Sequence, residues 1–152
     1  TKEAFSVRGC VLLPPGHPLL AKNILVLDDL RGERLVTMPK NSAMRNKLQP
    51  IFDRYDFHPQ IVFESNNLNM ITQAVGSGFG YAFVTQLIME DYPELRRYCV
   101  DIDHPDVVGS YGLTYNKLTV ENRNARHFRD FALGFLENLQ QYFEKWEIRS
   151  GV

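Results

Sequence analysis

The chain is poor in the groups that usually announce a reaction. It has two cysteines, Cys10 and Cys99, at no metal-ligand spacing and with no further cysteines to build a disulfide framework. Buried free thiols are the default reading, and a redox switch would require their two strands to pair. Its four histidines, His17, His58, His104 and His127, are scattered, and the first three precede proline, which favours turns. No HxxxH or CxxC spacing occurs, which removes the usual metal sets. No GxSxG places a hydrolytic serine on a sharp turn. Turn and cap roles account for Asp28, Asp29, Asp101, Asp103 and Asp106. No catalytic constellation emerges, so the chain reads as a non-enzyme with no metal and no cofactor.

Other absences bound partners and location. No apolar run reaches the roughly eighteen residues of a membrane span. The opening Thr1-Lys2-Glu3-Ala4-Phe5 has no starting Met, n-region, h-region or cleavage site. It begins as if in mid-strand, so the sequence reads as part of a longer chain. Lys and Arg number 17 against 18 Asp and Glu, giving a net charge of −1. A domain that grips nucleic-acid phosphates usually carries a basic excess, so this chain by itself is not expected to bind DNA or RNA.

What is there is a globular composition with an alternating pattern. The 152 residues are 44% hydrophobic and 23% charged, enough for a real core in one ordinary domain. Apolar alternation predicts strands over 5–13, 35–38, 61–64, 80–84, 96–102 and 107–115. A one-turn helix capped by Asp28 is expected at 27–30. Met44, Leu48, Ile51, Phe52 and Tyr55 share one face of a helix over 43–54, in which Pro50 should force a kink. A second helix carries Leu68, Ile71, Ala74 and Val75, and a short third follows Thr85 over 86–91. The last, over 121–147, bears a stripe from Phe128 through Phe131 and Phe135 to Trp146. The alternation argues for an α/β fold with a mostly parallel sheet.

The glycine-rich Gly76-Ser77-Gly78-Phe79-Gly80 closes a helix and opens a strand, the reverse of a phosphate-cradling loop. It reads as a helix C-cap and a tight turn. The stretch Asn41-Ser42-Ala43-Met44-Arg45 is more informative. A strand leads into a hydroxyl cap and a helix, and such a junction aims free N–H groups and a positive dipole end at one point. Arginine in a first turn opposes that dipole, a placement best explained by a nearby anion. The order recurs at Ile61-Val62-Phe63-Glu64-Ser65-Asn66, and two such seats point to a protein that holds a small anion.

The sequence also resembles a known family. Val11-Leu12-Leu13-Pro14-Pro15-Gly16-His17-Pro18-Leu19, then Leu27-Asp28-Asp29-Leu30-Arg31-Gly32-Glu33, then Ser42-x-x-Arg45, follow the order of LysR-type transcriptional regulators. So do Ile61 to Ser65, Ile71-x-x-Ala74-Val75-x-x-Gly78-Phe79-Gly80, Leu113-Thr114-Tyr115-Asn116-Lys117 and the terminal aromatic helix. The resemblance implies the effector-binding domain, whose fold is like that of type II periplasmic binding proteins, with two α/β subdomains joined by crossing strands. It implies that residues 1–8 are a crossover strand from an incomplete first subdomain, that 9–106 form the second, and that 107–152 return a strand and helix to the first. The family's winged helix-turn-helix and the opening of its first subdomain have no counterpart here, so the last helix is expected to expose apolar surface or make oligomer contacts.

Carried over residue by residue, Ser42, Arg45, Ser65, Asn66, Phe83 and Thr85 would touch effector. The implied function is sensing of a small organic anion by a cytoplasmic regulator that is a homo-oligomer, dimer or tetramer. It would bind DNA through the absent N-terminal domain alone and would have no membrane partner. The alternative is a fragment of a periplasmic solute-binding protein.

Overall fold

Alternation and periodicity resolve into β1 (Lys2–Leu12), β2 (Ile24–Leu25), β3 (Arg34–Thr37), α1 (Ala43–Arg54), β4 (Gln60–Glu64) and α2 (Leu68–Gly76). They continue with β5 (Ala82–Thr85), α3 (Ile88–Asp91), β6 (Cys99–Ile102), β7 (Val108–Leu113) and α4 (Arg123–Ser150). The computed structural model describes the backbone of residues 2–115 and 122–150 and the side chains of 5–115 and 122–142. Asn116, Lys117 and the Trp146 side chain, which the sequence reading used, lie outside these residues.

Residue contacts divide the chain into two units, Thr1–Val7 with Gly109–Val152, and Arg8–Val108. The chain passes between them within β1 and within β7. In the first unit Phe5 stacks on Tyr111, with ring centroids 5.1 Å apart and planes 13° from parallel. Ser6 N–H donates to Gln140 Oε1 at 3.1 Å. On α4 the aromatic stripe stands outward, with Phe128 66% and Phe131 72% exposed.

The second unit carries the main core. Its strands run in the order β2-β6-β1-β5, with β1 antiparallel to both neighbours and β2 parallel to β6. The sheet is therefore mixed, where the sequence pattern had predicted a mostly parallel one. Period-two alternation splits β1 between two faces. Val11 and Leu13 join Leu35, Leu48, Ile51, Phe52, Phe83 and Ile102 in one cluster, while Cys10 and Leu12 are buried on the other face. β3 and β4 form a parallel pair of their own, with Thr37 opposite Glu64. β4 is thus an edge strand, which leaves Ile61 and Val62 exposed. Tyr81 bridges in parallel to Leu35 and joins that pair to β5.

Several local expectations change. Pro50 sits inside an unbroken α1. The N–H it lacks would have met the Asn46 carbonyl, and both residues are exposed, so water can satisfy that group. Residues 96–98 are not strand but part of a 3-10 turn, Pro93–Tyr98, opened by proline at its first position. The turn at Leu27–Leu30 is capped by Asp29, not Asp28: Val26 N–H and Lys22 Nζ donate to its two oxygens at 3.0 and 2.6 Å. The Lys22 bond holds that carboxyl below its usual pKa. Gly78, at φ 83°, closes α2 as the sequence predicts, with its N–H donating to Val75 O at 2.9 Å.

Gly80 is where backbone must approach backbone, since a Cβ there would press on the Arg34 carbonyl. Gly80→Ala is expected to destabilise the protein by about 1–3 kcal/mol through overpacking. Gly76→Ala, with nothing within 4 Å of the new methyl, should be neutral or stabilising by up to about 1 kcal/mol. Urea denaturation midpoints of the two variants check the contrast.

Candidate functional site

β3, β4 and the Tyr81–Thr85 segment run parallel, so their carboxyl ends lie on one edge of the sheet. Ligands of open α/β sheets bind outside that edge. Two helices begin there. α1 starts behind Ser42, whose Oγ accepts from Arg45 N–H at 3.1 Å. α2 starts behind Asn67, whose Oδ1 accepts from Asn69 N–H at 2.9 Å and Met70 N–H at 3.4 Å. The two starts are kept adjacent by the β3–β4 register and by Ser65 N–H donating to Thr37 O at 3.1 Å.

The cap of α2 is Asn67, one residue past the Ser65-Asn66 junction that the sequence pattern predicts. Its signal was there: asparagine immediately before the first apolar residue of a helix is a preferred cap. Ser65 has a lesser role, its Oγ accepting from Asn67 N–H at 3.1 Å. Asn66 is exposed on the same turn, and Thr85 is half-buried at the end of β5 opposite Gly9.

Arg45 departs most from expectation. It is 4% exposed, and its guanidinium runs along α1, away from the helix start. Nε and Nη2 donate to Gln49 Oε1 at 3.3 and 3.2 Å, and Cζ lies 5.8 Å from the centre of the Phe52 ring. Gln49 in turn donates to Asp53 Oδ1 at 2.8 Å. Nη1 is buried with no partner, and no carboxylate pairs directly with Arg45 among the described residues. A buried cation without its counter-ion is costly, by several kcal/mol on the order seen when a buried pair is broken. Phe83 is likewise inside: it is 6% exposed, 5.8 Å from Phe52 and 5.6 Å from Tyr81, so it is a core residue beneath the site rather than an open wall.

The thiols lack the setting of a reactive pair. Their strands do pair, with Cys10 opposite Asp101 and Leu12 opposite Cys99, which puts both cysteines on one face. A hydrogen bond with Cys99, burial and the neighbouring Cys99 and Asp101 raise the Cys10 pKa, so it stays a neutral thiol and a poor nucleophile. Cys99 is half-buried, not fully buried.

Residues 1–137 match the LysR substrate binding domain family. The chain belongs to that family. The LysR transcriptional activator of Escherichia coli K12 is 29% identical over 104 residues, covering 66% of this chain and 33% of that protein. The dual regulator GltC of Bacillus subtilis is 24% identical over 141 residues, covering 93% and 47%. The chain thus spans between a third and a half of these relatives, which are transcriptional regulators, not solute receptors. The regulatory domain of CcmR from Synechocystis PCC6803, solved in complex with 2-PG, superposes with a TM-score of 0.69 at 19% identity, over 90% of this chain and 66% of that one. The effector binding domain of QuiR, solved with shikimate, gives 0.70 at 16% identity, over 90% and 64%. The fold is therefore that of a LysR regulatory domain, of the type II periplasmic-binding-protein class.

In this LysR-family domain the burial of Arg45 separates a structural role from a binding one. Arg45→Met keeps the packing on Phe52 and removes the unpaired charge, so the ligand-free thermal midpoint should stay level or rise. Ser42→Ala should lower stability by about 1 kcal/mol through the lost cap. Differential scanning calorimetry of both variants checks the pair.

Proposed function

We propose that this chain senses a small organic anion on behalf of a transcriptional regulator, and that Arg45 is the cation that recognises it. One observation carries the reading: a nearly fully buried guanidinium whose Nη1 has no partner, and which has no carboxylate of its own, among the described residues. Such a group is stabilised by a ligand that brings the missing negative charge, and a charge-assisted bond from guanidinium to carboxylate is among the stronger hydrogen bonds. The starts of α1 and α2 and the polar groups of Ser42, Ser65, Asn66, Asn67 and Thr85 supply donors of their own at the carboxyl edge of the sheet, at the other end of the Arg45 side chain from its guanidinium. Shikimate, on QuiR, is a ligand of this chemical kind.

The chain performs no chemistry on the ligand in this reading. Binding shifts the protein between two arrangements only if the anion prefers one of them. The output, in the cytoplasm, is altered DNA binding by a helix-turn-helix carried elsewhere in a homo-oligomer of the full-length protein. Residues 1–8, 9–106 and 107–152 would then be a crossover, the second subdomain and the return to the first. No helix among the described residues is long and apolar enough to cross a membrane.

A thermal-shift screen of the full-length protein against small mono- and dicarboxylates tests the reading. A true effector at a hundred times its Kd should stabilise by about 2.7 kcal/mol. Arg45→Met and Arg45→Gln should abolish that shift. A carboxylate that stabilises wild type and both variants equally would move the site elsewhere.

A further inference from the structure

We propose that the Gln49 side chain holds the effector's place on Arg45 in the ligand-free protein, so that an anion must displace it to bind. Resting on the reading of Arg45 as the recognising cation, this gives the ligand the edge formed by Nε and Nη2, not the enclosed Nη1. Arg45, Gln49 and Asp53 follow one another at four-residue spacing and form a row along α1. Gln49 Oε1 accepts from Nε at 3.3 Å and from Nη2 at 3.2 Å. Two neighbouring N–H groups of a guanidinium are the fork that takes a carboxylate through parallel bonds. A single amide oxygen sits on that fork, where a carboxylate would bring two oxygens and a charge.

The neighbours of the amide fix its orientation. A guanidinium offers only donors and an ionised carboxylate only acceptors. The oxygen must therefore face Arg45 and the nitrogen Asp53, to whose Oδ1 it donates at 2.8 Å. As a partner for a buried cation the arrangement is weak. Both bonds to Arg45 exceed the ~2.7–2.9 Å of charge-assisted N–H to carboxylate bonds. One oxygen serves two donors, and no negative charge arrives with it. Gln49 is half-buried and Asp53 exposed, so the amide can swing outward from Arg45 while it keeps its bond to Asp53. Its departure frees two N–H groups of a residue otherwise 4% exposed, and so opens a route to the guanidinium.

The chemistry of position 49 then orders ligand affinity in a way that a purely supporting role would not. A neutral amide competes weakly with the ligand, and an apolar side chain does not compete. A carboxylate at the same place competes as a tethered anion and neutralises Arg45 permanently. If Gln49 only propped Arg45 in position, every substitution there would weaken binding.

Isothermal titration calorimetry of the full-length protein with acetate and with succinate tests the assignment. Gln49→Ala and Gln49→Met should bind the better of the two probes roughly five- to tenfold more tightly than wild type, the equivalent of one ordinary hydrogen bond no longer displaced. Gln49→Met keeps the length of the side chain and decides the matter should Gln49→Ala not fold. Gln49→Glu should bind neither probe. Its ligand-free thermal midpoint should lie above that of wild type, a gain that the same substitution should lose on an Arg45→Met background. Suppose wild type binds and Arg45→Met does not. Unchanged or weaker binding in both Gln49→Ala and Gln49→Met, or binding retained in Gln49→Glu, would then overturn the role of Gln49 and leave the reading of Arg45 standing. No binding in wild type, Gln49→Ala and Gln49→Met alike, or equal binding in Arg45→Met, would overturn both.

Discussion

Two backbone hydrogen bonds hold the second unit together at the crossing of its sheets. Tyr81 N–H donates to Arg34 O at 2.9 Å, and Val36 N–H donates to Tyr81 O at 2.8 Å. Within the next residues the same strand leaves β3 and pairs with β1, placing Ala82 opposite Leu12 and Phe83 opposite Val11. Without this link β3 and β4 would be a lone two-stranded pair, which is marginal in water. α1 hangs from β3 and α2 from β4, so both helix starts depend on the crossing. Gly80 makes the approach sterically possible, and the rings secure it: Tyr81 meets Phe83, Phe83 meets Phe52 and Phe52 meets Phe57, with centroids 5.6, 5.8 and 5.2 Å apart. Tyr81 carries a buried hydroxyl that has no partner among the described residues. The roughly 1–3 kcal/mol that such a group costs is of the same size as the gain from burying its ring, so the position is tolerated but not optimal. Burial and the nearby Glu33 raise its pKa, so the phenol stays protonated.

The row of rings ends beneath Arg45, the one charged side chain buried among the described residues. Arg45 lies over Phe52, and a ring face attracts a cation, but by about 0.5–2 kcal/mol at most. That falls short of the cost of burying a guanidinium. Gln49 helps by turning its amide oxygen to Arg45 and its amide nitrogen to Asp53. The Asp53 charge therefore reaches Arg45 only through an amide dipole, not as a direct pair. Two of the three guanidinium nitrogens are satisfied and the third is not. The residual deficit is the ground on which a ligand role is proposed for this position.

Much of this was legible in residue patterns, and the failures have physical causes. The face of α1, the cap at Ser42 and the glycine closure of α2 follow from local rules and stand as read. Strand direction did not, because alternation in β1 says which side chains face inward and nothing about which neighbours pair with it. Arg45 was picked out for a sound reason, its clash with the helix dipole. Its contacts follow from spacing, since Gln49 and Phe52 lie four and seven residues on and share its helix face, but its burial depends on what the rest of the fold lays over that face. Phe83 enters as a pocket residue only through the family resemblance, which matches it to the strand end that closes the cleft. Its alternation phase, shared with Tyr81, turns it into the core instead.

Burial of Arg45 also sets how much a ligand could accomplish. An exposed guanidinium paired with an anion is worth about 0–1 kcal/mol, and salt erodes it. Coupling between sites usually needs 1–3 kcal/mol, and a near-complete switch of populations needs about 5.5 kcal/mol of differential affinity. A surface seat could bind an anion and still transmit little. A cation held where water does not reach it can supply differences of several kcal/mol between an arrangement that admits the anion and one that does not. The same burial sets a limit on selectivity, because every small anion satisfies the charge. Discrimination among anions must then come from the neutral donors and acceptors at the starts of α1 and α2, where an unmatched hydroxyl or amide left without a partner penalises the wrong ligand. Arg45 would supply the strength of the response, and Ser42, Ser65 and Asn67 its specificity.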